Sequence, residues 1–325
     1  MKILVVGGAG YIGSHMLRRL QKTNYKVEVL DNLSTGYQEN TLGFQFHKCD
    51  LANKDQLNSI LQNNYDLVMH FASYINVGES YLYPQKYYEN NVNNTMNLLN
   101  CMVDQKILNF IFSSSAAVYG DPGPSPISEE ENINPVNPYG QTKAMVENIL
   151  KDYDRAYGLK STCLRYFNAC GAHLDGTIGE SHNPETHLIP LVLQAASGRK
   201  NSITVFGDDY TTKDGTCIRD YIHVMDLAEA HLLALNSLRS KQISNIYNIG
   251  NNIGFSVKEI IEIAEEVTQR KIKINIESRR KGDPAQLVAN NKKIKEELNW
   301  TAQYSDLKTI ISSAWQWEQK LLQSN

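Results

Sequence analysis

The apolar run Ile3-Leu4-Val5-Val6 stops on Gly7-Gly8-Ala9-Gly10-Tyr11-Ile12-Gly13, and a helical pattern continues from Ile12 to Lys22. Strand, glycine turn and helix in that order restrict the fold more than any other feature of the chain. Glycine lets backbone turn sharply at a strand end, and a helix N-terminus offers free N–H groups to an anion. Gly7 and Gly10 stand where the chain would turn tightly and approach a pyrophosphate, and Gly13 where the helix would pack close to the sheet. Asp31 ends the next strand candidate, at the distance where an acid takes the adenosine ribose hydroxyls. Its charge repels a 2′-phosphate and no Arg follows at once, which favours NAD over NADP. The other reading, a turn residue in Asp31-Asn32-Leu33-Ser34, is weaker because a glycine loop precedes it in the order a dinucleotide site requires.

Apolar runs alternate with helical patterns through the first half. Strands are expected at Lys2–Val6, Lys26–Leu30, Phe44–Lys48, Asp66–Phe71, Asn109–Ser113 and Ser161–Phe167, and helices at Ile12–Lys22, Lys54–Asn63, Lys86–Asp104 and Tyr139–Tyr157. Several of these strands are continuous Val/Ile/Leu/Phe runs, as strands covered on both faces are. The order implies right-handed crossovers and an α/β fold with a doubly wound parallel sheet of the Rossmann type, which binds ligands at the carboxyl ends of its strands. Asp121–Pro138 reads as a long proline-rich loop. Beyond about residue 170 the alternation weakens, which predicts a smaller, mixed α/β lobe.

With 42% apolar and 21% charged residues, the 325-residue chain has the balance of a soluble globular protein. A net charge of -3 with no basic stripe argues against nucleic acid as a partner. The first apolar run is too short for a signal segment and no stretch is long enough to span a bilayer, so no membrane role is expected. Cys49, Cys101, Cys163, Cys170 and Cys217 are odd in number and scattered, as in a cytoplasmic protein rather than a disulfide or zinc framework. His70, His173, His182, His223 and His231 show no carboxylate or cysteine at ligand spacing, so no metal is expected.

Tyrosine-x-x-x-lysine occurs twice. Tyr304/Lys308 follows a turn, with Ser305 read as a helix N-cap, and is taken as structural. Tyr139/Lys143 opens the helix after the proline-rich loop, where residues four apart share a face. A phenol of pKa about 10 working near pH 7 needs about three units of depression, roughly 4 kcal/mol of preference for the phenolate. An adjacent ammonium and a nicotinamide cation supply charge of the right sign, the more so with water excluded. Ser113-Ser114-Ser115 ends the fifth strand, where a hydroxyl can reach the same substrate oxygen. Each feature alone has an ordinary explanation in strand-end polarity or aromatic packing; together, behind a dinucleotide loop, they point to catalysis.

These residues resemble the extended short-chain dehydrogenase/reductase family nearly end to end. The most specific stretches are GGAGYIGSH at the start, DNLS at 31–34, NFIFSSSAAVYGD at 109–121, NPYGQTK at 137–143, LRYFNACGAH at 164–173, DGTCIRDYIHVMDLA at 214–228 and RRKGDPA at 279–285. The resemblance implies C4 epimerisation of a UDP-hexose through a transient 4-keto sugar, with NAD permanently bound and regenerated each cycle. Tyr139 matches the phenolate that takes the proton of the sugar 4-hydroxyl, Ser115 the hydroxyl that hydrogen-bonds that oxygen, and Lys143 the lysine that orients the nicotinamide ribose. Implied cofactor contacts fall on Tyr11, Ile12, Asp31, Asn32, Leu33, Ser34, Asp50, Leu51, Phe71, Ala72, Asn90 and Phe167, beside Gly7, Gly10 and Gly13. Implied nucleotide-sugar contacts fall on Asn168, Leu188, Phe206, Arg219, Arg280 and Asp283. Also implied are a dinucleotide-binding part spanning 1–170, to which the chain returns around 216–250, a nucleotide-sugar lobe in most of 171–325, and a homodimer.

Three positions depart from the family pattern. Ile75 replaces a lysine, His187 replaces an asparagine before Leu188, and Leu287 stands near the sugar 2-substituent where a bulky tyrosine occurs in glucose-restricted members. Leucine leaves more room, so N-acetylated UDP-sugars are expected to enter as well. A 4,6-dehydratase needs an acid/base pair beside the hydride site, and the positions after Ser115 are Ala116 and Ala117. A decarboxylase or simple NAD dehydrogenase is a similar minority reading. A non-catalytic dinucleotide sensor has no use for Ser115, Tyr139 and Lys143 together. The stripes Val92, Met96, Leu99 and Ile149, Leu150, Tyr153 would pair across a two-fold axis or merely cover the sheet.

Overall fold

The computed structural model describes residues 1–123, 126–280 and 283–323; Pro124 and Ser125 of the proline-rich loop, and Lys281 and Gly282 of the 279–285 stretch, lie outside the described residues. In chain order the strands are β1 (Lys2–Val6), β2 (Lys26–Asp31), β3 (Gln45–Lys48), β4 (Leu67–His70), β5 (Asn109–Ser115), β6 (Lys160–Tyr166), β7 (Asn168–Cys170), β8 (Ile203–Phe206), β9 (Ile218–His223), β10 (Asn245–Ile249), β11 (Gly254–Ser256), β12 (Ile274–Glu277) and β13 (Gln286–Leu287). The helices are α1 (Tyr11–Leu20), α2 (Lys54–Leu61), α3 (Val77–Leu82), α4 (Pro84–Tyr87), α5 (Asn94–Asp104), α6 (Pro138–Tyr157), α7 (Leu188–Ser197), α8 (Val224–Lys241), α9 (Val257–Thr268), α10 (Lys292–Leu298) and α11 (Leu307–Gln323).

The expected apolar runs form one parallel sheet in the order β10-β6-β5-β4-β1-β2-β3, so the direction of winding reverses between β1 and β4. Val6 pairs with Leu30 on one side and His70 on the other, which brings Gly7, Asp31 and Phe71 off three neighbouring strands at one level. That crevice is where a doubly wound sheet takes a ligand. Side chains alternate across the sheet. Ile3 and Val5 meet Met16, Leu17 and Leu227 under α1 and α8, while Leu4, Val6, Phe110 and Phe112 meet Leu57, Leu98 and Leu150 under α2, α5 and α6. A third core, with Ile189, Val192, Ile260, Ile261, Ile310 and Ile311, joins α7, α9 and α11. A smaller sheet places β9 between β11 and β13, with β7 also on β9, and β8 pairs with β12.

Local chemistry sets the element ends. Asn137 caps α6 by accepting from Gly140 N at 2.7 Å with Pro138 in its first turn, and Gly158 closes it in the left-handed region. Ser256 and Glu259 form a capping box on α9. Two expectations change. The helix foreseen over 86–104 is α4, a wider π-type stretch Tyr88–Asn93, and α5, begun by Pro84. Ser305 is not the cap of the last helix: its hydroxyl donates to Asp226 Oδ2 at 2.7 Å, and Asp306 takes the N–H of Thr309 at 2.9 Å instead. Among the described residues no helix is long and apolar enough to cross a membrane.

Candidate active site

Gly7 adopts φ +79°, and a Cβ there would stand 2.4 Å from Ala72 N; at Gly13 it would stand 2.2 Å from Gly7 O. Both glycines therefore serve the fold itself, holding Ala72 and the first turn of α1 against the strand end. Gly10 differs from its expected role. Its φ of −81° suits any residue, and among the described residues beyond its chain neighbours the nearest atom to its would-be Cβ is Gly7 O at 3.4 Å, so the turn does not require glycine there. What remains is close approach by a group from outside the chain, as a pyrophosphate requires. The first turn of α1 points the N–H groups of Tyr11, Ile12 and Gly13 out of the helix end, its first internal bond being Ser14 N to Gly10 O at 2.9 Å.

Asp31 lies at the rim of this turn and accepts from Ala9 N at 3.0 Å and Leu33 N at 2.8 Å. Burial pushes its carboxyl pKa up, and those two N–H groups pull it back. Each oxygen keeps a lone pair for a ribose hydroxyl. Asn32 donates to Asp50 Oδ2 at 2.8 Å and accepts from Ser34 N at 2.9 Å, which ties Leu33, Ser34, Asp50 and Leu51 into one rim. The Phe71 ring packs tilted against His231 with centroids 4.9 Å apart, and Asn90 donates to Asn91 Oδ1 at 2.9 Å. The side chains of Tyr11 and Ile12 turn inward: the buried Tyr11 phenol donates to Gly171 O at 2.6 Å, and Ile12 packs on the sheet core. Their N–H groups are left without a partner inside the helix. These backbone cradles and Asp31 fit a dinucleotide.

Ser115 is the last residue of β5, and its hydroxyl accepts from Ala117 N at 3.1 Å. Gly140 makes the next contact possible, because a Cβ on it would stand 2.4 Å from Ala117 O. The start of α6 thus sits directly on the turn after Ser115. Lys143, one helical turn beyond Tyr139, is 4% exposed, donates to Ser113 O at 2.8 Å and lies 5.8 Å from the centre of the Tyr139 ring. Burial raises the Tyr139 pKa and the Ser115 hydroxyl opposes this; burial lowers Lys143 to about 7, against the pull of Glu147. The expected depression of the phenol rests on the nicotinamide cation as well as on the ammonium; the chain by itself pushes the phenol up. The chain brings serine, tyrosine and lysine together, with one of the three ammonium N–H groups on the backbone carbonyl of Ser113.

On the other side of the crevice β7 follows β6 through Phe167, so Phe167 and Asn168 join the two sheets. Asn168 pairs with Tyr221, two places along β9 from Arg219, and Leu287 pairs with Arg219 itself. Arg219 donates to Asp283 and, at 2.8 Å, to Ile218 O. The exposed Arg280 lies over the Phe206 ring at 3.9 Å. Leu287 packs with Phe167 on Ala116, Val118 and Tyr119. Leu188 begins α7 and faces the third core, and Ile75 is exposed.

Sequence reasoning missed Gly140 as a positioning residue, although it lies inside NPYGQTK. It also missed a buried polar chain behind the site: Arg165 grips Glu147 at 2.9 and 2.5 Å, Ser114 donates to Glu147 at 2.5 Å, and Arg165 reaches the Tyr119 hydroxyl at 2.8 Å. The histidine reading is corrected too. His187 turns its Nδ1 to Glu180, and His182 Nδ1 lies 3.0 Å from the same carboxylate, so both have acidic neighbours two to seven residues away. Burial works against each charge, but mutual attraction prevails: Glu180 is held at about 2 and His182 is raised to about 10.

Residues 3–250 match the NAD dependent epimerase/dehydratase family. The chain is 48% identical to the UDP-glucose 4-epimerase of Streptococcus mutans over 98% of its own length and 96% of that protein's. It superposes on the UDP-glucose 4-epimerase of Brucella ovis in complex with NAD with a TM-score of 0.94, at 46% identity and 97% of each chain. It superposes on the UDP-Glc/GlcNAc 4-epimerase of Campylobacter jejuni with a TM-score of 0.86, at 43% identity, covering 98% of this chain and 99% of that one.

Proposed function

The chain belongs to the NAD dependent epimerase/dehydratase family, and from that premise we propose that Ser115, Tyr139 and Lys143 carry its NAD-dependent epimerisation of UDP-glucose and UDP-galactose at C4. The observation that carries this assignment is the meeting of β5 and α6 at Ala117 and Gly140, which sets Ser115 beside Tyr139 at the lip of the Gly7/Asp31 crevice. When bound, NAD supplies the hydride acceptor and a positive charge near the phenol. Tyr139 Oη takes the proton of the 4-hydroxyl and later returns it, and Ser115 Oγ holds the same oxygen in place. Lys143, anchored on Ser113 O, orients the nicotinamide ribose and, in its protonated form, places positive charge next to the phenolate. Arg219 and Arg280 hold the diphosphate, and Asp283 accepts from ribose hydroxyls.

UDP-GlcNAc and UDP-GalNAc enter the same site. The half-buried Leu287 of β13, paired with Arg219 of β9, supports this, as does the likeness to the UDP-Glc/GlcNAc 4-epimerase of Campylobacter jejuni. We divide the chain functionally into 1–170 with a return near 216–250 for NAD, and most of the remainder for the UDP-sugar. The enzyme works in the cytoplasm, in keeping with five free cysteines. It is a homodimer through α5 and α6. Val92, Leu99 and Leu150 are spent on the core, but Met96, Ile149 and Tyr153 stay half-buried beside the exposed Met145 and Tyr157.

The test is to incubate purified protein with UDP-galactose and UDP-GalNAc, without added NAD, and to separate the C4 epimers. Both should be turned over. Unchanged UDP-galactose with protein that contains bound NAD overturns the residue assignment; turnover of UDP-galactose alone overturns the role of Leu287.

A further inference from the structure

We propose that Glu180, His182, Glu185 and His187 form a site for one divalent transition-metal ion of the zinc type, placed between the dinucleotide turn and the start of α7. Each residue offers one ligand atom, and the four atoms lie within 4.8 Å of one another. All come from eight consecutive residues, in the spacing Glu-x-His-x-x-Glu-x-His. Two imidazoles and two carboxylates are a donor set that suits zinc, whose bonds to them of about 2.0–2.2 Å place tetrahedral ligands about 3.4 Å apart. Closing the widest gap and opening the Glu180–His187 contact takes shifts of about an ångström on each side chain, well within the reach of rotamers on a loop.

The cluster does not read as two simple ion pairs. Those would set each ring on its own carboxylate. Here both rings converge on Glu180 Oε1, while Glu185 stands off, its Oε2 at 3.8 Å from His182 Nδ1 and its Oε1 at 3.6 Å from His187 Nδ1. A second observation is that His182 Nδ1 is buried and faces Glu180 Oε1 at 3.0 Å without the alignment of a hydrogen bond, so the ion pair leaves its geometry unsatisfied. A shared cation displaces the proton that Nδ1 otherwise carries to solvent and takes the lone pair so freed. The surrounding bonds hold the ligands in place: Glu185 Oε1 takes the N–H groups of Thr186 at 2.7 Å and His187 at 2.9 Å, and Trp317 Nε1 of α11 donates to Glu180 O at 2.8 Å.

Four protein ligands leave no open position, so the ion is structural rather than catalytic. It fastens the loop between α1, where the Tyr11 ring meets His182 edge-on at 6.2 Å, and α11. The experiment uses untagged protein stripped with a chelator, titrated with zinc chloride against a chromophoric competitor, and heated with and without zinc. One zinc per chain should bind and raise Tm by about 5 °C at a hundredfold excess over Kd. His182→Gln and Glu185→Gln should each abolish the stoichiometric binding, and His173→Gln, outside the cluster, should keep it. Less than half an equivalent bound to the parent protein overturns the proposal, leaving a cluster held by ion pairs alone. So does full binding retained in a folded His182→Gln. If neither variant folds, the parent's stoichiometry, and visible absorption of a four-coordinate cobalt form, decide the matter.

Discussion

The turn Gly7–Gly13 and the arginines Arg219 and Arg280 are both proposed to face a diphosphate, and they are built by opposite means. The turn carries no charged side chain. Its donors are backbone N–H groups, and its shape follows from glycines whose Cβ positions are taken by Ala72 and by the turn itself. The other site is made of side chains. Arg219 is held by a carboxylate, Arg280 rests on an aromatic ring in the open, and both lie on elements that reach the crevice from residues 203–287. A cofactor that stays in place through every cycle can be met by groups that do not move. A substrate that enters, exposes both faces of one carbon and leaves needs contacts that are made and broken each time, and Asp283 gives Arg219 a partner in between.

Tyr139→Phe is the largest expected effect and the most direct way to break that contrast. Turnover should fall about 10²- to 10⁴-fold, while NAD released on denaturation stays at the parent level. If NAD is lost along with activity, the backbone-built site depends on the catalytic side chain and the two regions are not separable. The glycines sharpen the same point. Gly13→Ala should cost about 1–3 kcal/mol in urea unfolding, because its Cβ meets the backbone of Gly7 at 2.2 Å. Gly10→Ala should leave NAD-free protein within about 0.5 kcal/mol but weaken NAD binding. Equal losses of stability for both would mean that Gly10 serves the turn rather than the ligand. On the substrate side, Arg219→Ala should raise KM for UDP-galactose about 10- to 100-fold, the scale of a lost charged hydrogen bond, with bound NAD unchanged and partial rescue by Arg219→Lys.

The same contrast explains what could be read in advance. The sheet, the glycine turn and Asp31 were legible because their signals are local: apolar runs, glycines and one acid at a fixed distance. The pairing of Ser115 with Tyr139 was legible as chemistry but not as geometry, since the contact that makes it, Gly140 on Ala117, joins residues 23 apart and leaves no periodicity. Arg219, Asp283 and Leu287 were found by resemblance alone. Nothing in the spacing of β9 and β13 says that they lie side by side in one sheet. The histidine cluster shows the opposite failure. Its spacing was on the page at 180–187, but carboxylates two residues from a histidine read as loop charges until the chain folds them onto one point.

Lys143 stands between the two regions and gives the smallest expected effect. It is a side chain by origin, yet it is held by a backbone carbonyl, Ser113 O, and by burial, as the cofactor turn is. Burial lowers its pKa to about 7, and Glu147 only partly opposes this. An unfolded lysine keeps its proton up to about pH 10.4. Below pH 7 both states are protonated and the cost of burying the ammonium is present in full. Between pH 7 and 10.4 the unfolded chain binds the extra proton, so this group makes the folded state more stable as pH rises. From pH 7 to pH 8 the gain should be about 1 kcal/mol, read as the rise in unfolding free energy of NAD-free protein relative to Lys143→Met, which removes the titrating group and leaves every other one. A parallel pair of profiles would show that the Ser113 carbonyl and Glu147 keep the ammonium charged through neutrality. Lys143 would then belong with the rigid, fully satisfied part of the site, and the phenol beside it would have a resident positive charge even before the cofactor arrives.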